Sequence, residues 1–133
     1  MLFRSTASGI TNIGLIALLL KRHVIAKGSY LFIDEPEVNL HPAWQKVMIE
    51  TLHKLSCAGI NVVIASHSID MIKALENIMT EYEDDALEQH FAVNQLSNEG
   101  LSVNEQAPLM KKMAAIKADL GKPFYDMMLE QPW

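Results

Sequence analysis

Four consecutive large apolar residues, Tyr30 to Ile33, run without a break into the adjacent acids Asp34 and Glu35, and Pro36 closes the run. Proline has no N–H to give to a ladder, so the strand cannot continue past it as a paired central one. An unbroken run rich in aromatic and branched residues is what a strand buried on both faces requires. Two carboxylates therefore emerge where a core strand ends. Neighbouring carboxylates repel, and one is driven towards its protonated form unless a cation or good donors compensate the pair. Mg²⁺, held by a carboxylate and by substrate phosphates, is a common compensation.

A second apolar run repeats this design. Asn61-Val62-Val63-Ile64-Ala65 empties into Ser66-His67-Ser68. Between the two runs Pro42 suits a first helical position, and Trp44, Val47, Met48, Leu52 and Leu55 recur at helical spacing, with Gly59 as a stop. Strand, helix, strand makes a βαβ unit with parallel pairing. The carboxyl ends of its strands share one edge, so Asp34, Glu35 and His67 are expected to converge there, where open α/β sheets bind ligands.

The chain has 133 residues, half of them apolar, enough for one domain with a sizeable core. A net charge of −5 with scattered basic residues argues against a nucleic-acid platform. Cys57 is the single cysteine, which excludes an internal disulfide and fits a reduced, cytoplasmic setting; its simplest role is a small buried hydrophobe at a helix end. The apolar stretch from Ile10 to Leu20 contains Thr11, Asn12 and Gly14 and is far shorter than the roughly twenty residues that span a bilayer. It reads as a buried helix, and Lys21-Arg22-His23 after it does not resemble a signal-peptide cleavage site.

In that helix Ile10, Ile13, Ile16, Ala17 and Leu20 share a face, and Ser8 is the expected N-cap; its first turn offers an anion site, although a serine cap without a ligand is the commoner case. Lys27-Gly28-Ser29 makes a turn before the first strand. Ser68 is expected to cap a helix with Asp70 in its first turn and Ile69, Ile72, Leu75 and Met79 on one face. The acids between Glu81 and Asp85 read as a solvated loop or helix end. His90 to Leu96 and Leu101 to Val103, around Asn98-Glu99-Gly100, read as a hairpin. Residues 108–129 read as two helical pieces separated by Gly121-Lys122-Pro123, with Met110, Met113, Ile116 and Leu120 on a core face.

Taken together, these motifs resemble the second half of an ABC-type P-loop ATPase domain of the OLD-like and SMC-related group, often described as AAA-type. The run ending in Asp34-Glu35-Pro36 resembles a Walker B motif, Ser8-Gly9 before an apolar helix the signature motif, Glu37 to Pro42 the D-loop, and Ile64 to Ser68 the switch-histidine loop. The resemblance implies an α/β fold of the parallel-sheet P-loop NTPase kind, with a terminal hairpin and helices. It implies ATP and Mg²⁺ as cofactors, Asp34 as the metal residue, Glu35 as general base and His67 as the γ-phosphate sensor. Ser8 and the Gly9 N–H would bind the γ-phosphate of a nucleotide held by a partner subunit, and Asn39 and His41 would lie near a dimer interface. The signature, Thr6-Ala7-Ser8-Gly9-Ile10, lacks the full glycine-rich pattern, and no G-x-x-x-x-G-K-[ST] loop occurs in the sequence.

The chain is therefore expected to be a C-terminal portion of a larger ATPase. It would be a single partial domain, with the ATPase motifs in residues 1–80 and the hairpin and helices in 81–133. It would be inactive alone, with the missing N-terminal portion or a second subunit as partner, a homo-oligomeric state, and a DNA or nuclease partner implied only by the family. Two rival readings are a degenerate lobe serving as a protein-interaction module, and a metal-dependent nuclease built on Asp34, Glu35 and His67. The nuclease reading lacks further acids at matching strand ends.

Overall fold

The structure, a computed structural model, describes residues 3–97, 99–103 and 105–129, and the side chains of all of these except residues 3–10 and 124. Expectations that rest on the side chains of Ser8 and Ile10, or on Asn98 of the hairpin turn, lie outside the described residues. The elements follow in the order α1 (Phe3–Lys21), β1 (Tyr30–Asp34), α2 (Pro42–Cys57), β2 (Asn61–Ala65), α3 (Ile69–Met79), α4 (Asp84–His90), β3 (Gln95–Leu96), β4 (Ser102–Val103) and α5 (Leu109–Leu129). They divide between two compact units, Met1–Ala74 and Leu75–Trp133. Among the described residues no helix is long and apolar enough to cross a membrane.

The first unit holds the expected βαβ. β1 pairs with β2 in parallel, with Tyr30 opposite Asn61 and Asp34 opposite Ala65, and the Glu35 N–H donates to the Ala65 carbonyl at 2.8 Å, carrying the ladder one residue further. Parallel strands need a long crossover, and α2 supplies it. Pro42 occupies its first turn, and the N-cap is His41, whose Nδ1 accepts from the Ala43 N–H at 3.3 Å. At its other end the Gly59 N–H donates to Ser56 and the Ile60 N–H to Leu55. This is a Schellman closure, and it needs the left-handed backbone that Gly59 adopts at φ 89°. A Cβ there would also come within 2.8 Å of Lys27 Cγ.

α2 packs against β2 and buries Gln45, Met48, Ile49 and Leu52. Each buried apolar side chain of this size contributes about 1.5–3 kcal/mol. The buried stripe differs from the expected one: Trp44 and Val47 are each 40% exposed, and Gln45 and Ile49 take the inward positions. A rotation of one residue about the helix axis accounts for the difference, because Gln45, Met48, Ile49 and Leu52 are themselves spaced i, i+3, i+4, i+7.

The two strands are covered on one face only. Leu31, Ile33, Val62 and Ile64 are half-buried, whereas Tyr30, Phe32 and Val63 are 68%, 72% and 46% exposed. The Tyr30 and Phe32 rings stack on that open face, with centroids 6.2 Å apart. The expectation of a strand buried on both faces therefore fails for β1. On that second face Tyr30 and Phe32 are largely exposed to solvent and Val63 is partly so.

In the second unit Met79, Leu87, Leu109 and Met113 are buried. Glu88 Oε1 accepts from the Leu109 N–H at 3.3 Å, capping the start of α5. Lys117 Nζ meets both Glu76 oxygens at 2.6 and 2.5 Å, and Gln95 donates to Asp119. Tyr82, His90 and Phe91 form a ring cluster. The hairpin is present in short form, β3 against β4 antiparallel.

Four further expectations are corrected. α1 begins at Phe3, so Ser8 lies inside the helix and is not its N-cap. α4 takes up the acids Asp84 and Asp85 in its first turn, where they favour the helix dipole, and runs to His90, so the hairpin starts later than expected. α5 is continuous, with Pro123 inside it instead of a break at Gly121-Lys122-Pro123. Cys57 is exposed, in the last turn of α2, with Sγ 3.5 Å from His53 Nε2 one turn earlier, not a buried hydrophobe.

Candidate functional site

The parallel pairing brings the carboxyl ends of β1 and β2 to one edge. Asp34 is the last residue of β1, exposed, on the same open face as Phe32. A shallow depression lined by Phe32, Ile33, Asp34, Val63 and Ala65 lies on that face. Among the described residues nothing engages the Asp34 carboxylate. The chain then turns sharply: Glu35 adopts φ 46°, left-handed backbone that side-chain-bearing residues rarely occupy. Pro36 is buried directly after it, and the Val38 N–H closes the turn on the Glu35 carbonyl at 3.0 Å.

That turn leaves Glu35 Oε1 3.9 Å from Nε2 of His67, with the two side chains 50% and 83% exposed. At such exposure the pair adds little to stability. Its interest is positional: a carboxylate and an imidazole share the rim of the sheet, with Asp34 beside them. The expected convergence of Asp34, Glu35 and His67 is thus present.

Asn39 and His41 sit on the turn leading to α2. Asn39 is exposed with a left-handed backbone at φ 62°, and His41 is exposed while serving as the helix cap. Ser8 and Gly9 are elsewhere, within α1. The free N–H groups of a helix belong to its first turn. Ser8 and Gly9 lie more than a turn inside the described helix, so the helix-terminus argument for them as an anion site does not hold.

The sequence reading missed the residues that hold this rim together. Glu37 Oε1 accepts from Ser66 Oγ at 2.9 Å and from the His67 N–H at 2.8 Å. Ser66 Oγ in turn accepts from the Ser68 N–H at 3.1 Å. Ser68 Oγ donates to Gln45 Oε1 at 2.6 Å and accepts from the Met71 N–H at 3.3 Å, capping α3 as expected. Gln45 Nε2 donates to the Leu40 carbonyl at 3.2 Å. One signal was available: Gln45 is a polar residue on the apolar stripe of α2, and a polar group there needs a partner.

The comparisons with known proteins bear on this geometry. The sequence profile of the AAA ATPase domain matches residues 4–72, just over half of the chain and all of the rim just described. The chain belongs to this family. The match implies the P-loop NTPase fold. The cobalt import ATP-binding protein CbiO of Salmonella typhimurium is 37% identical over 49 residues, 37% of this chain and 18% of that protein. Old nuclease of Escherichia phage P2 is 46% identical over 44 residues, 33% of this chain and 8% of that protein. The matched segment thus spans less than a fifth of either relative. No solved structure matches the chain.

The donor set fits the cofactors that this family uses. Hard cations such as Mg²⁺ take oxygen ligands and keep several waters, and Asp34 presents an exposed carboxylate at the sheet edge that no other described residue engages.

Proposed function

We propose that this chain is the C-terminal part of an ABC-type ATPase and that it supplies a half-site, completed by a phosphate-binding loop that these 133 residues do not contain. The observation that carries the reading is the placement of Asp34, Glu35 and His67 on one rim, with Glu35 and His67 3.9 Å apart. In this reading Asp34 is the Walker B aspartate and would hold Mg²⁺ through water. Bound Mg²⁺ neutralises charge on the phosphates during transfer. Glu35 would orient the attacking water and accept its proton as general base. His67, exposed and hinged on a fixed backbone, contacts the γ-phosphate side of the site.

The open face of the sheet supports the half-domain part of the proposal. All-parallel sheets have both faces covered. Tyr30, Phe32 and Val63 present a face that the N-terminal portion of the ATPase would cover. Asn39 and His41 then lie near a subunit interface. Ser8 and Gly9 have no helix N-terminus to offer, so the half-site rests on the three rim residues. The relationship to Old nuclease supports a setting beside a nuclease or DNA.

A second reading, a non-catalytic interaction lobe, is favoured by the exposed apolar face of Tyr30, Phe32 and Val63, which a binding partner would cover. Glu35→Gln in the assembled ATPase separates the two. The ATPase reading expects retained nucleotide binding with hydrolysis lost, and normal turnover in that variant would sink it.

A further inference from the structure

We propose that Glu37 is a positioning residue, tethering the loop that carries His67 to the turn that carries Glu35 so that the two keep a fixed spacing. The proposal rests on the ATPase-half reading and deepens it.

Three observations carry it. First, a single oxygen, Glu37 Oε1, accepts two donors from the other strand's end, Ser66 Oγ at 2.9 Å and the His67 N–H at 2.8 Å. Bonds to a carboxylate are stronger than neutral ones, so this joint is stiff. Second, the tether is part of a closed ring. From Glu37 it passes through Ser66, Ser68 and Gln45 to the Leu40 carbonyl, and the Leu40 N–H returns to the Glu37 carbonyl at 2.9 Å. The turn and the loop are thus held at two points, and neither can shift without breaking a half-buried bond.

Third, Glu37 Oε2 is buried and has no partner among the described residues. A buried carboxylate oxygen without a donor is unfavourable. Both donors that act on its other oxygen, Ser66 Oγ and the His67 N–H, come from the end of β2, so the carboxylate is held to that loop and to nothing else described. The imidazole of His67 takes no part in the ring and is 83% exposed. Its base is fixed, while its exposed tip faces Glu35 Oε1 at 3.9 Å on the rim where a ligand would arrive.

The test uses the 133-residue chain and reads amide hydrogen exchange by NMR. In Glu37→Ala the His67 amide should exchange roughly 10- to 100-fold faster than in the wild type, as loss of a bond to a charged acceptor implies. Amides inside β2, such as Val63 and Ile64, should keep their rates. Glu37→Gln retains an oxygen at the Oε1 position and should restore most of the protection, and Ser66→Ala, which removes one leg only, should give an intermediate rate. An unchanged His67 rate in Glu37→Ala overturns the tether. So does acceleration spread evenly over β1 and β2, which would mark general destabilisation.

The catalytic consequence is read in the assembled ATPase. There Glu37→Ala should lower kcat about tenfold or more with KM unchanged, and Glu37→Gln should recover most of it. Wild-type kcat in Glu37→Ala, where Glu35→Gln is inactive, overturns the positioning role and leaves the ATPase reading standing. Normal turnover in Glu35→Gln removes the ATPase reading, while exchange at His67 still decides whether the tether exists.

Discussion

Gln45 is 8% exposed on the apolar stripe of α2 and joins the Leu40 carbonyl to the Ser68 hydroxyl. Gln45→Leu keeps the volume and removes both bonds. Three effects then compete. The Leu40 carbonyl loses its side-chain donor, which costs about 1–3 kcal/mol, and the bond to Ser68 is worth about 1 kcal/mol. Against these, burying a leucine in place of an amide returns about 1.5–3 kcal/mol. The net change runs from about 1 kcal/mol stabilising to about 2.5 kcal/mol destabilising, so the single variant decides nothing. A double-mutant cycle with Ser68→Ala does, because the leucine burial and the lost α3 cap appear in both arms and cancel. The expected result is a coupling of about 1 kcal/mol, the double variant being less destabilised than the sum of the singles. Urea unfolding followed by circular dichroism, with m-values checked for constancy, measures it. A coupling below about 0.3 kcal/mol would mean that the Gln45–Ser68 bond contributes nothing, and the ring joining the turn to the loop would be broken at that link.

Two further expectations follow from the open face and from α5. The isolated chain should self-associate through Tyr30, Phe32 and Val63; Phe32→Lys should shift it towards monomer in light scattering, and a wild-type monomer at high concentration would count against this role for the face. Pro123, inside α5, gives no N–H to the Asp119 carbonyl one turn back; Pro123→Ala should stabilise the helix end by about 1–3 kcal/mol and slow amide exchange over residues 124–129, and unchanged exchange there would show that the proline is not limiting.

The βαβ unit was legible because each signal is local. Pro42 at a helix start, Gly59 at its end and two apolar runs are enough to set α2 between parallel strands, and strand order alone then places Asp34, Glu35 and His67 together. What was not legible depends on tertiary neighbours. A run such as Tyr30 to Ile33 does not record whether its second face is covered, and here Tyr30 and Phe32 are exposed. Ser8 drew the cap assignment, yet α1 already runs through it, because a serine in mid-helix looks like a cap from sequence alone. Pro123 reads as a breaker, yet α5 absorbs it at the loss of one backbone bond. Glu37 is the largest omission: its partners Ser66 and His67 are 29 and 30 residues away, and only the parallel register brings them within reach.

The central claim is that the rim of Asp34, Glu35 and His67 is one half of an ATP site. Calorimetry with ATP and Mg²⁺ tests it most directly, first on this chain and then on the chain mixed with a polypeptide carrying the phosphate-binding loop, taken from the reading frame immediately upstream. Binding that appears only in the mixture, and persists there in Glu35→Gln while hydrolysis is lost, is the predicted result. Absence of binding in the mixture would contradict the claim and leave the chain as an interaction lobe.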